Sequence, residues 1–167
     1  MSTPLTVQRL RQLLHYDEAT GIFTWRHSGR GHAASVRAGC LNPRWGYLYI
    51  GIDGRQYRAN RLAWLYVYGE WPELPLDHIN RNRADDCIGN LRLATKSQNA
   101  INAKRRTDNT SGYRGVTFAA SRQKWQAQIH QNGHNKFLGY FDDREAAYAV
   151  RCDAERKMFG EFAVVAA

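Results

Sequence analysis

Leu76-Asp77-His78-Ile79-Asn80 is the stretch from which the rest of this chain is read. Asn90-Leu91-Arg92 and Thr95-Lys96-Ser97-Gln98-Asn99 follow it. An acid beside a His, then two spaced amides, is the residue set of a one-metal hydrolytic site. A carboxylate and an amide oxygen are hard donors for a divalent cation. An imidazole takes a proton from water near neutral pH. Such a set suits phosphodiester hydrolysis: the cation offsets charge at phosphorus and on the leaving oxygen, and the base activates the nucleophile. Taken singly, Asp, His and Asn serve most often in turns and caps. The combination in a basic chain is what points to chemistry.

The local pattern gives these residues a frame. Leu76 to Ile79 reads as a short strand entering a polar, turn-rich loop from Asn80 to Gly89, and Asn90 to Ala94 as the returning strand. Thr95-Lys96-Ser97-Gln98 fits a capping box, so a helix begins there and carries Asn99 in its early turns. Strand, loop, strand and helix is an order that converges side chains on one ion.

With its spacing, the set Asp77, His78, Asn90 and Asn99 resembles the HNH endonucleases of the ββα-metal type, mainly over residues 60 to 102. The resemblance implies that Asp77 and Asn99 are metal ligands, His78 the general base and Asn90 the brace of the loop carrying the His. It implies metal-dependent cleavage of a DNA strand, leaving 3′-hydroxyl and 5′-phosphate ends. Mg²⁺, or Mn²⁺, suits two oxygen ligands plus waters better than a closed zinc cage does. Phage-type members of the family resemble the region from 1 to 75 as well. They often carry His where this chain has Asn60.

Composition narrows the partners. The net charge is +9, which calls for an anionic partner, nucleic acid being the commonest. No apolar run approaches a membrane span of about 18 residues. Met1-Ser2-Thr3-Pro4 lacks the charged start and apolar core of a secretory signal. Cys40, Cys87 and Cys152 form no Cys-x-x-Cys pair, and their odd count argues against a disulfide framework. The expected compartment is cytoplasm, that of the host cell if the chain is phage-encoded.

Ahead of the site, residues 4 to 20 read as a short helix and turn, with Leu5, Leu10, Leu13 and Leu14 along one side. Ile22-Phe23-Thr24-Trp25 reads as a strand. Residues 26 to 46, with Arg26, Arg30, Arg37 and Arg44 among glycines, read as a long loop, either a solvated connection or a track along phosphates. Tyr47–Ile52 and Gln56–Ala59 form a hairpin turned at Asp53-Gly54. Arg61 to Tyr68 is helical, and Gly69-Glu70-Trp71-Pro72 ends it. His15, His27, His32, His130 and His134 lack partners comparable to those of His78.

Beyond the site, Lys104-Arg105-Arg106 and the turn formers to Gly112 carry a linker signature; the three basic residues are candidates for phosphate contacts as well as for a solvated tether. Three strand-like runs follow at 113–118, 124–130 and 136–141, with Asn132-Gly133 as a hairpin turn. A helix then starts with Asp142 as N-cap and Glu145 three later, and Gly160 ends it. Ala146, Ala147, Val150, Ala154 and Met158 give it one small, apolar face. By alternation, Gln126, Gln128 and His130 share one strand face, opposite Trp125, Ala127 and Ile129.

This last third resembles the APETALA2-type DNA-binding domain. Tyr-Arg-Gly-Val at 113–116, Trp125 with Ala127 and Ile129, Leu-Gly-Tyr-Phe at 138–141 and the Ala-rich helix ending near Phe162 carry the likeness. The resemblance implies a three-stranded sheet that enters the major groove. Arg114, Thr117, Lys124, Trp125, Gln126, Gln128, His130 and Lys136 are then the candidate contacts, Arg suiting guanine and Gln adenine. Thr117 and Asn135 stand where basic residues are common in that family.

The expected architecture is α+β: an N-terminal basic β-rich region (1–57), a ββα-metal nuclease core (58–103), a linker (104–112), and a C-terminal three-stranded antiparallel sheet packed on one helix (113–167). The expected function is a metal-dependent DNA endonuclease of the phage homing or freestanding kind, with double-stranded DNA as partner, no membrane and no obligate protein partner. One site per chain predicts nicking. The alternative is a sequence-specific DNA-binding regulator with an inactive nuclease relic. An RNA-binding role is disfavoured, because the deep, narrow major groove of A-form RNA is hard for side chains to read.

Overall fold

A computed structural model describes residues 4–29, 31–102, 109–131 and 133–163. The chain divides into two compact units, Met1–Ala94 and Thr95–Ala167. The class is α+β, with small antiparallel sheets and, among the described residues, four α-helices.

In the first unit, helix α1 (Val7–Leu13) is capped by Thr6, whose side chain accepts from the Arg9 amide. The chain then passes directly into strand β1 (Leu14–Asp17), antiparallel to β2 (Ile22–Trp25). The expected helix and turn over 4–20 is therefore too simple: residues 14 to 17 are strand. Leu14 and Tyr16 are buried while His15 is exposed, a period of two that pairing with residues 22–25 makes use of. Asp17 closes the hairpin, its carboxylate accepting from the Ala19 amide and the Thr20 hydroxyl.

The 26–46 segment is mostly loop but contributes a short strand, β3 (Cys40–Leu41), to a sheet of order β3-β4-β5 with β4 (Leu48–Ile52) and β5 (Arg55–Arg58). Asp53 and Gly54, at φ 48° and 79°, form the two-residue turn. Helix α2 (Ala59–Tyr68) ends on Gly69 in the left-handed conformation at φ 82°. Leu10, Leu14, Tyr16, Phe23, Ile50, Leu62, Leu65 and Leu91 belong to one buried core. Each such side chain contributes roughly 1.5–3 kcal/mol through burial. Strands β6 (Leu76–His78) and β7 (Leu91–Leu93) pair on this base, with Asp77 opposite Arg92 and His78 opposite Leu91.

The second unit begins with helix α3 (Lys96–Asn102). Its start is a reciprocal capping box: the Thr95 amide donates to Gln98 Oε1, and the Gln98 amide to Thr95 Oγ1. Strands β8 (Val116–Ala119), β9 (Lys124–Gln131) and β10 (His134–Phe141) form an antiparallel sheet with β9 central. Gly133 of the expected Asn132-Gly133 turn sits at φ 86°, while Asn132 lies outside the described residues. Helix α4 (Arg144–Phe159) packs on the sheet.

Two details of α4 differ from expectation. Its N-cap is Asp143, which accepts from the Ala146 amide, and not Asp142. Its buried face is Ala147, Arg151, Glu155 and Phe159, rotated from the expected apolar stripe, with Ala146 and Val150 exposed. Arg151 and Glu155 are an i,i+4 ion pair, which lets two charged residues occupy an interior face that patterning alone gives to solvent.

Candidate active site

The β6–β7 hairpin gathers three of the four candidate residues. Asp77 and His78 end β6, and Asn90 closes the loop just before β7. Asn90 ties the two ends of that loop together. Its Oδ1 accepts from the Asn80 amide at 3.0 Å, and its Nδ2 donates to Asn80 Oδ1 and to the Asp85 carbonyl at 3.0 and 2.8 Å. The Ile79 amide donates to the Asn90 carbonyl. Asn80 Nδ2 also reaches the Asp85 carboxylate at 2.6 Å. The loop between the strands is thus a cross-linked polar knot.

Asp77 is buried, and its Oδ2 receives both Nε and Nη2 of Arg92 from the facing strand. His78 is 4% exposed, and its Nε2 lies 3.0 Å from Oδ1 of Asp86, which is 1% exposed. Burial pushes the Asp86 carboxyl above its ordinary range. The hydrogen bond and charge of His78 pull it back, Asp85 adds to the rise and Arg37 opposes it. The Tyr47 ring lies 5.9 Å from the imidazole, centre to centre.

The segment carrying Asp86 is held from the N-terminal hairpin. The Tyr16 hydroxyl donates to the Asp86 carbonyl at 2.7 Å, and the Cys87 thiol to the Glu18 carbonyl at 3.1 Å. Gly21, at φ 71°, lies so close that a Cβ there would stand 2.2 Å from the Cys87 nitrogen.

An arginine and aromatic array surrounds Tyr47. The Arg58 and Arg83 guanidinium carbons lie 4.5 and 5.0 Å from the Tyr47 ring centre, and Arg83 donates to the Trp45 carbonyl. Arg44 lies over Trp45.

Asn99 sits on α3, in the second unit, early in the helix as the capping box requires. In that unit Arg114 is half-buried and donates to the Ala100 and Ile101 carbonyls near the end of α3, a favoured place for a cation. Ala127 and Ile129 are buried, and Trp125 packs beside the same small core. Thr117 and His130 are exposed, Gln126 and Gln128 half-buried. His130 lies 2.9 Å from the side-chain oxygen of Asn135. Lys124 pairs with Asp142, and Lys136 is exposed. Lys104, Arg105, Arg106 and Arg30 lie outside the described residues.

Sequence reasoning passed over four features. Asp86 reads as one more turn residue, and Arg92 as a solvated strand charge. Tyr47 and Arg83 are far apart along the chain, so their stacking has no local signal. Phe137 and Tyr140 are 52% and 38% exposed with ring centres 4.9 Å apart, although an apolar strand pattern suggests core. Alternation does signal Tyr140: it pairs across from Gln126 and so shares that face.

Among the described residues, no group of three or more His, Cys, Asp or Glu side chains gathers to hold a metal. No helix among them is long and apolar enough to cross a membrane.

Comparison with known proteins adds a family. The HNH endonuclease model matches residues 57–101, from the end of β5 to α3. Protein 3.8 of Escherichia phage T7 is 33% identical over 89 residues, covering 53% of this chain and 72% of that protein. An uncharacterized HNH endonuclease of Acanthamoeba polyphaga mimivirus is 31% identical over 116 residues, covering 68% of this chain and 59% of the mimivirus protein. No solved structure matches. A hairpin bearing Asp77-His78 and Asn90, inside the matched segment, gives the assignment its residues: the chain carries an HNH endonuclease domain at 57–101 and belongs to the same family as phage T7 protein 3.8.

Proposed function

We propose that the protein is a metal-dependent DNA endonuclease that nicks one strand per active site. The observation carrying this reading is the β6–β7 hairpin, which carries Asp77 and His78 at the end of β6 and knots the loop that follows them through Asn90, within the segment matched by the HNH model. His78 is the general base for the attacking water. Asn90 keeps the loop, and so the imidazole, in place. The Asp77 carboxylate and the Asn99 amide are the ligands of Mg²⁺ or Mn²⁺; both are hard oxygen donors, and two of them leave positions for water and phosphate oxygens. When bound, the ion supplies charge stabilisation at the scissile phosphate and leaving 3′-oxygen.

DNA is the substrate, as the family description suggests. Arg58 and Arg83, stacked on the Tyr47 ring beside His78, and Arg44, over Trp45, are suited to backbone phosphates. The C-terminal sheet supplies target choice in the manner of the APETALA2-like domain, through Gln126, Gln128, His130 and Thr117 with Lys124 and Lys136 at its margin and Arg114 and Trp125 beside it. Lys104, Arg105 and Arg106 add phosphate contacts. The modules are 1–57, 58–103 and 113–167, joined by 104–112, and the working compartment is the host cytoplasm.

The test is supercoiled plasmid incubated with protein, with and without Mg²⁺. Nicked circles form only with the ion, and His78→Ala keeps DNA affinity while losing cleavage. The second reading, a DNA-binding regulator with a silent nuclease module, draws support from the burial of His78 and the pairing of Asp77 with Arg92. It predicts no nicked circles under any metal.

A further inference from the structure

We infer that Asp86 is the positioning residue of the nuclease site: its carboxylate holds the His78 ring by Nε2 and leaves base chemistry to Nδ1. This rests on the proposed role of His78 as general base, and it adds a residue outside the Asp77, His78, Asn90 and Asn99 set.

Geometry carries the inference. A neutral imidazole has two tautomers, and the partner of one nitrogen decides which nitrogen keeps the proton. Once ionised, the Asp86 carboxylate only accepts, so its Oδ1 at 3.0 Å selects the Nε2–H form. The other nitrogen, Nδ1, is then the basic one. The pair is almost wholly buried, where a hydrogen bond to a charged acceptor is short of competing water. An interior carboxylate is expensive to keep, and the fold invests contacts in this one. Tyr16 from β1 holds its backbone carbonyl, Cys87 next to it reaches Glu18, and Gly21 gives the segment room to lie against the hairpin turn. A residue needed only to fill this space need not be an acid.

The experiment combines a double-mutant cycle with ring-nitrogen NMR. Nicking of supercoiled plasmid in Mg²⁺ is measured for the wild type, Asp86→Ala, Asp86→Asn, His78→Ala and the Asp86→Ala/His78→Ala pair, with folding checked by thermal melts. Asp86→Ala is expected to lower kcat about 100-fold, a share of what a general base supplies, with KM for DNA unchanged. Asp86→Asn retains an acceptor oxygen and is expected to lose less. In the background of His78→Ala, removing Asp86 is expected to cost nothing more, because a residue that acts through His78 has nothing left to act on. Long-range ¹⁵N correlation spectra of the metal-free protein are expected to show His78 as the Nε2–H tautomer in the wild type and as a mixture in Asp86→Asn. If Asp86→Ala fails to fold, Asp86→Asn carries both arms. Additive losses in the cycle, or an unchanged tautomer in a folded Asp86 variant, overturn the inference. A wild type that never nicks overturns the proposed function instead, and the tautomer spectra still decide the positioning role.

Discussion

Arg92 grips Asp77 from the neighbouring strand, its Nε and Nη2 lying 3.0 and 2.9 Å from one carboxylate oxygen, Oδ2. The two residues are direct cross-strand partners, so the pairing of β6 with β7 itself sets the contact. Both are largely buried. Removing one partner of such a pair takes a compensating charge away from a buried one, at a cost of up to about 3–5 kcal/mol. Arg92→Ala is expected to lose stability of that order in urea titrations. Mg²⁺ should restore part of it, since a cation that binds the folded state at Asp77 stabilises by mass action. The same ion added to Asp77→Asn should restore nothing.

Gly21 is the second place where a small change reaches the site. It combines a positive φ of 71° with backbone atoms of Asp86 and Cys87 inside the space a Cβ needs. Gly21→Ala is expected to destabilise by about 1–3 kcal/mol from the strained conformation alone. It should also lower nicking beyond what lost stability explains, because the displaced segment carries Asp86. Urea titration and plasmid nicking at a temperature where the variant is fully folded separate the two effects.

The raised Asp86 carboxyl makes a pH prediction. Below the ordinary carboxylate value, near 3.9, folded and unfolded chains both hold the proton, and the group contributes no penalty. As pH rises, the unfolded chain releases its proton first, so stability falls until the folded carboxyl also ionises. The groups facing Asp86 are His78, Asp85 and Arg37, with the Tyr16 hydroxyl on its backbone. Asp86→Asn removes this titration. The stability of the variant relative to the wild type is expected to increase between about pH 4 and neutrality. Melting curves across that range check it, and a difference independent of pH would sink it.

The Tyr47 array makes a salt prediction. If Arg58 and Arg83 meet phosphates, each replacement by Ala should weaken DNA binding about equally across sequences. Each should also reduce the slope of log affinity against log salt by about one unit. Fluorescence anisotropy with unrelated duplexes at several salt concentrations reads both quantities.

Local rules read much of this fold correctly. The Asp53-Gly54 hairpin, the Thr95/Gln98 capping box and the alternation of β9 each depend on neighbours within a few residues, and each matches its expectation. The misses share a cause. Residues 14–17 become strand because a partner at 22–25 exists, and a single-segment helical pattern does not contain that partner. The buried face of α4 turns on an ion pair that is neutral only as a pair. At the site, Asp77, His78 and Asn90 stand out by spacing, whereas Asp86 is noticed only once the loop has folded it beneath the imidazole.

The hold of the first hairpin on the Asp86–Cys87 segment has a consequence for dissecting the molecule. The family match starts at residue 57, yet the floor under that segment comes from residues 5 to 52: Leu10, Leu14, Tyr16, Phe23 and Ile50 share one interior with Leu62, Leu65 and Leu91. A fragment cut at the start of the match would open that interior to water and free the carboxylate under the histidine. Anyone transplanting this HNH domain onto another protein must therefore carry the N-terminal third along with it.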